Sequence, residues 1–191
     1  MDVGPAVTWD RWVARYREGR NFVTNGPLLT FQINGEPPGA VIRVPAGSPY
    51  TARISGEVVS QFPLRQVDLI QNGAILESYQ VPADTRTWRF DKEVSVARSA
   101  WFAFRVTGQP SRGVPDVNGV PRAHSGAIFI ETGGQPVLLK EDMELMVRWV
   151  DRFWALLEER HNLGSEANRE KAREMVLRAR KHYEEKLAQA Q

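Results

Sequence analysis

"RQVDLIQNGAILES", residues 65–78, decides how the chain is to be read. Alternating residues flank Asn72-Gly73 on both sides, and Asn-Gly is the pair that two-residue hairpin turns favour, because both central positions need a positive φ. Two antiparallel strands with one buried face follow.

Working outward, the same period of two runs from Pro27 to about Gly133. Phe31 and Ile33 alternate in "LLTFQI", Asn34-Gly35 turns the chain toward "AVIRV", and Tyr50, Ala52 and Ile54 alternate in "YTARIS". "TWRFDKEVSV" and "AWFAFRV" come after the hairpin, and "AIFIET" is the last strand, beyond a Gly- and Pro-rich loop over residues 108–122. Seven or eight short strands separated by turn signals predict an antiparallel, Ig-like β-sandwich.

Helical periodicity brackets this region. In "TWDRWVARYRE", residues 8–18, Trp9, Trp12, Val13 and Tyr16 share one face, Thr8 suits the N-cap, and Gly19 suits the position after the last turn. So short a helix is marginal alone, and its two tryptophans need a surface to pack on. After Gly133-Gly134, "EDMELMVRWVDRFWALLEERH" carries two apolar rows. Met143, Met146, Val147, Val150, Trp154 and Leu157 form one; Leu145, Trp149, Phe153 and Leu156 form the other. Residues 162–164 break this helix and Ser165 caps the next, which is amphipathic through Ala172, Val176, Ala179, Tyr183 and Leu187. The class is α+β, mainly β: residues 1–26 are an N-terminal helix and connector, 27–134 the sandwich, and 135–191 an αα-hairpin.

The 191 residues suffice for a real core, and 42% apolar with 25% charged residues is a globular composition. Although the pI is about 9.1, 25 Lys and Arg against 23 Asp and Glu leave only +2 with the signs mixed, which argues against a nucleic-acid partner. No cysteine is present for a disulfide or a thiolate site. No apolar run approaches ~20 residues, and "MDVGPAV" lacks the regions of a signal peptide, so the expectation is a soluble chain of unknown compartment with no membrane partner.

Chemistry is sparse. His124, His161 and His182 are far apart with no ligand spacing between them, so the residues predict no catalytic, cofactor-binding or metal site. His161 and His182 read as solvated helix residues. His124 in "RAHSGAIFI" follows the long loop and is the one histidine placed to face a cleft, either as an enzyme site or as a loop residue bonded to main chain. No Gly-rich phosphate motif is present. Among Trp88, Phe90, Trp101 and Phe102, any of which could serve a sugar-binding surface, the core is preferred for Trp101 and Phe102.

"WDRWVARYREGRNFVTNGPLLTFQINGEPPG", then "RAHSGAIFI", then "ELMVRWVDRFWALLEER" together resemble the C-terminal region of the CehA/McbA family, metallohydrolase-like proteins related to the PHP (polymerase and histidinol phosphatase) domain. The resemblance implies that residues 1–26 end a barrel-like metal-binding domain, that "GRNFVTNGPLL" (residues 19–29) joins it to the sandwich, and that the chain is a non-catalytic accessory region. Any divalent metal would belong to an upstream domain. The implied partner is that PHP-like domain in cis or a second copy of the chain, with Arg20 and Asn25 near the missing active site. The family's late-strand motif carries Thr, Ser or Asn and Pro where this chain has Ser125-Gly126-Ala127. The alternative is a stand-alone sandwich that binds a carbohydrate or a protein.

Overall fold

The computed structural model describes residues 7–47, 49–116, 118–160 and 163–190. They form ten strands in two sheets and three helices, in two compact units, residues 1–136 and 137–191.

The first unit opens with α1 (Trp9–Arg17), capped by the Thr8 hydroxyl, which accepts from the Arg11 amide at 3.4 Å, and ended by Gly19 at φ +73°. β2 (Leu28–Ile33), β4 (Tyr50–Val59) and β7 (Thr87–Val96) make a three-stranded antiparallel sheet with β4 in the middle. The larger sheet is built on β8 (Ala100–Gly108). Along one edge β8 pairs with β5 (Leu64–Gln71), which pairs with β6 (Ala74–Gln80). Along the other it pairs with β10 (Ile128–Thr132) near its start and β9 (Arg122–Ser125) near its end. β1 (Phe22–Thr24) flanks β9, and β3 (Val41–Val44) flanks β10.

The 65–78 hairpin forms as read, with Asn72 at φ +51° and Gly73 at +83°, and a register shift between Leu69 and Ile70. Two expectations change. β1 and β9 raise the strand count from seven or eight to ten among the described residues, and β3 runs parallel to β10, so the larger sheet is mixed. Both have one cause: three- and four-residue strands have no alternation of their own and exist because a distant partner completes their ladder, Phe22 opposite Ser125 and Phe129 opposite Val41.

The two sheets face each other over a core of Phe31, Ile33, Ile54, Val58, Leu69, Phe102, Phe104 and Ile130. Phe104 is its centre, with Phe31 at 6.1 Å and Phe90 at 5.1 Å between ring centroids. Opposite Phe90, Gly56 leaves the space the ring occupies: a Cβ there would meet it at 2.4 Å. Trp101 departs from its expected core position. It is half-buried beside Phe129, on the face of β8 opposite Phe102, because successive side chains of a strand point apart. Trp88 and Phe90 are half-buried against the core, around Tyr79.

In the second unit, α2 (Lys140–Arg160) and α3 (Glu166–Leu187) pack against each other. The Met143 row of α2 is half-buried, whereas Leu145, Trp149 and Phe153 of the second row are exposed. Arg180 to Asp151 at 2.9 Å and Arg169 to Glu158 at 2.8 Å tie the helices together, and Ser165 caps α3. No helix among the described residues is long and apolar enough to cross a membrane.

Candidate functional site: a groove along the edge of β2

β2 is an edge strand, and its register with β4 decides which of its main-chain groups are engaged. Asn34 donates to the Arg53 carbonyl at 2.9 Å, so Asn34 and Arg53 are a hydrogen-bonded pair, and alternation makes Gln32 opposite Ser55 and Thr30 opposite Glu57 the next two. The N–H and C=O groups of Leu29 and Phe31 therefore point away from β4. Ile33, of the same parity, satisfies its outward groups on Glu36 across the Asn34-Gly35 turn. A cavity of about 350 Å³ runs along Leu29 to Gln32, walled by Phe22 and the Pro37-Pro38 pair. Leu29 and Phe31 bury their side chains in the core, so they present main chain to this groove.

Arg15 and Arg20 bring charge to it. Five residues apart in sequence, they converge because the left-handed turn at Gly19 folds the chain back, and the Arg20 amide donates to the Arg15 carbonyl at 3.1 Å. One oxygen of Glu18 takes Arg15 Nη1 at 2.7 Å and Arg20 Nε at 3.1 Å. The Arg15 hydrogen bond, aided by the charges of both arginines, holds the Glu18 carboxyl below its ordinary range. Two guanidinium cations and one carboxylate leave the groove one net positive charge.

The connector is fixed by close main-chain packing. Gly126 donates to the Asn21 carbonyl at 2.8 Å, and a Cβ on Gly126 would stand 2.6 Å from the Gly19 carbonyl oxygen. Gly39, at φ +89°, approaches the Glu18 carbonyl and donates to Ala127 at 2.7 Å. "GRNFVTNG" is thus held from both sides before it enters β2.

Of the three residues singled out in the sequence, the groove takes only Arg20. Asn25 is occupied elsewhere, with Nδ2 donating to the Val120 carbonyl at 3.0 Å and Oδ1 accepting from the Arg122 amide at 2.6 Å. His124 lies in strand β9 rather than a loop, exposed, with Nδ1 2.6 Å from the Ser125 carbonyl. Its neighbour Ser125 does line the groove, but its hydroxyl accepts from the Phe104 amide at 2.9 Å. His182 is exposed on α3, edge-on to Tyr183, and His161 lies outside the described residues. Arg15 was missed because nothing local says that a helical arginine will meet one beyond the helix end; the signal was Gly19, between them.

Among the described residues no group of three or more His, Asp or Glu side chains could hold a metal ion. What the groove can do is receive an anion beside an unsatisfied strand edge.

No protein-family model matches the sequence, and no curated protein matches it. Among solved structures the chain is similar to the CARDB domain of a Pyrococcus furiosus protein, solved by NMR in solution, at 13% identity and a TM-score of 0.32, covering 56% of this chain and 96% of that one.

Proposed function

We propose that this chain is a non-catalytic accessory region, an Ig-like sandwich with a helical hairpin, that docks on a metal-dependent hydrolase domain of the CehA/McbA, PHP-related kind its sequence resembles. The observation that carries this reading is the aromatic face of α1. Trp9 and Trp12 stack at 5.4 Å and Trp12 and Tyr16 at 5.6 Å, yet the three are 74%, 41% and 59% exposed. α1 has no buried residue at all. Stacked Trp and Tyr side chains left in water are the composition of an interface hot spot. In this reading any divalent metal and the bond-breaking chemistry belong to the partner domain, and the accessory region supports it.

Titration calorimetry tests this, with the full chain and a separately produced PHP-type hydrolase domain from the same organism. The expected result is saturable one-to-one binding that weakens at least tenfold in a Trp9→Ser/Trp12→Ser double variant. No heat of binding, or binding indifferent to the double substitution, overturns the reading.

A further inference from the structure

We propose that the groove along β2 receives the C-terminal end of an extended peptide, its main chain pairing with Leu29 and Phe31 and its terminal carboxylate taken by Arg15 and Arg20. The proposal is independent of the hydrolase reading, since it involves neither the aromatic face of α1 nor a metal.

The strand edge comes first. Leu29 and Phe31 are two residues apart, so their outward N–H and C=O groups repeat at about 7 Å, the spacing at which an added strand offers its own donors and acceptors. Among the described residues no hydrogen bond engages these groups. An edge left open in this way is ordinarily blunted by charge, proline or cover. Here the proline pair and the arginines stand around the edge and leave a cavity of about 350 Å³ beside it. That volume is near the small end of ligand pockets, roughly 300–1,000 Å³, so it suits the last residues of a chain better than a long strand.

Charge comes second. A guanidinium carries five N–H donors; Glu18 uses one from Arg15 and only ion-pairs with Arg20, so donors remain on both for a second carboxylate. The net charge of the cluster is +1 and would be neutralised by that carboxylate. A small organic acid would meet the arginines but leave the edge of β2 unpaired; an amidated peptide would meet the edge but not the arginines. The end of a peptide does both. The site is also pre-formed, because Gly39 and Gly126 hold the connector against the sheet, so little ordering is needed on binding.

The test is a nitrogen–proton NMR titration of the full chain, following the Leu29 and Phe31 amides and the Arg15 and Arg20 Nε–H groups. The probes are an equimolar mixture of random N-acetyl tripeptides with free C-termini, the same mixture amidated, and hexanoate. The expected result is saturable shifts at all four positions with the free acids, with the amides at least tenfold weaker and hexanoate moving only the arginines. Arg15→Gln/Arg20→Gln should abolish the preference for acid over amide. Glu18→Gln, which removes the competing carboxylate and leaves both arginines, should tighten binding of the free acids several-fold. No saturable shift, equal binding of acids and amides, hexanoate shifting Leu29 and Phe31 as the peptides do, or Glu18→Gln weakening the free acids would each overturn the proposal.

Discussion

Gly39 lies so close to Glu18 that a Cβ on it would stand 1.7 Å from the Glu18 carbonyl oxygen. That oxygen belongs to the backbone at the end of α1, where no side-chain rotation can make room, and the φ of +89° is itself unfavourable for any other residue. Gly39→Ala should therefore cost roughly 2–4 kcal/mol, strain and overpacking together, read as a lower urea midpoint. Gly35→Ala is the control: it shares a positive φ, but nothing lies within 4 Å of its Cβ, so the backbone penalty alone should appear.

Asp68 is 1% exposed on β5, a buried carboxylate with identified partners. Burial by itself would raise its pKa. Hydrogen bonds from Gln66 at 2.8 Å, from Arg105 at 2.7 and 3.0 Å and from Ser78, with the Arg105 charge, reverse this and hold it below the ordinary value. A folded pKa below the unfolded one means stability that is present above about pH 3.9 and lost as pH falls through the folded value, because the unfolded chain binds the proton first. Asp68→Asn should cost about 1–3 kcal/mol at neutral pH and give a shallower fall in urea midpoint between pH 5 and 2.5.

Tyr79 sits between the edges of the two sheets, against Trp88 and Phe90, with the Lys92 to Glu77 ion pair alongside. Burial first, then the hydrogen bond and charge of Glu77, push its pKa up to about 12. The raised value means stability that is fully present below about pH 10 and lost as pH rises through 12. Ultraviolet titration should show one phenol ionising near pH 12, absent from Tyr79→Phe.

Asn25, in the bend just after β1, and His124, on the neighbouring β9, separate a structural residue from a surface one. Asn25→Ala removes both side-chain bonds to the segment leading into β9 and should cost about 1–2 kcal/mol in chemical denaturation. His124→Ala, with an exposed side chain, should stay within about 0.5 kcal/mol of the parent. A larger loss at His124 than at Asn25 would contradict the structure.

Elements that carry their own signal were legible in the sequence. Asn72-Gly73 and Asn34-Gly35 both adopt the positive φ that the dipeptide implies, and Thr8, Gly19 and Ser165 cap the helices as their residue types suggest. Features made by distant pairing were not. "FVT" is a strand only because it lies beside "RAHS", "RAHS" because it lies between "FVT" and β8, and β3 runs parallel only because the last strand comes back beside it. The groove belongs to this second kind. Arg20 was visible as a connector residue, whereas its meeting with Arg15, and the outward parity of Leu29 and Phe31, depend on a turn and on a register that only the folded chain possesses.

The proposed docking of α1 on a hydrolase domain is tested most directly by hydroxyl-radical footprinting of Trp9, Trp12 and Tyr16, with and without a PHP-type hydrolase domain from the same organism. Protection of all three on addition of the domain, with the exposed Trp149 of α2 as an internal reference that stays reactive, is the predicted result. Unchanged oxidation of the three α1 aromatics under conditions where the two proteins form a complex would contradict it.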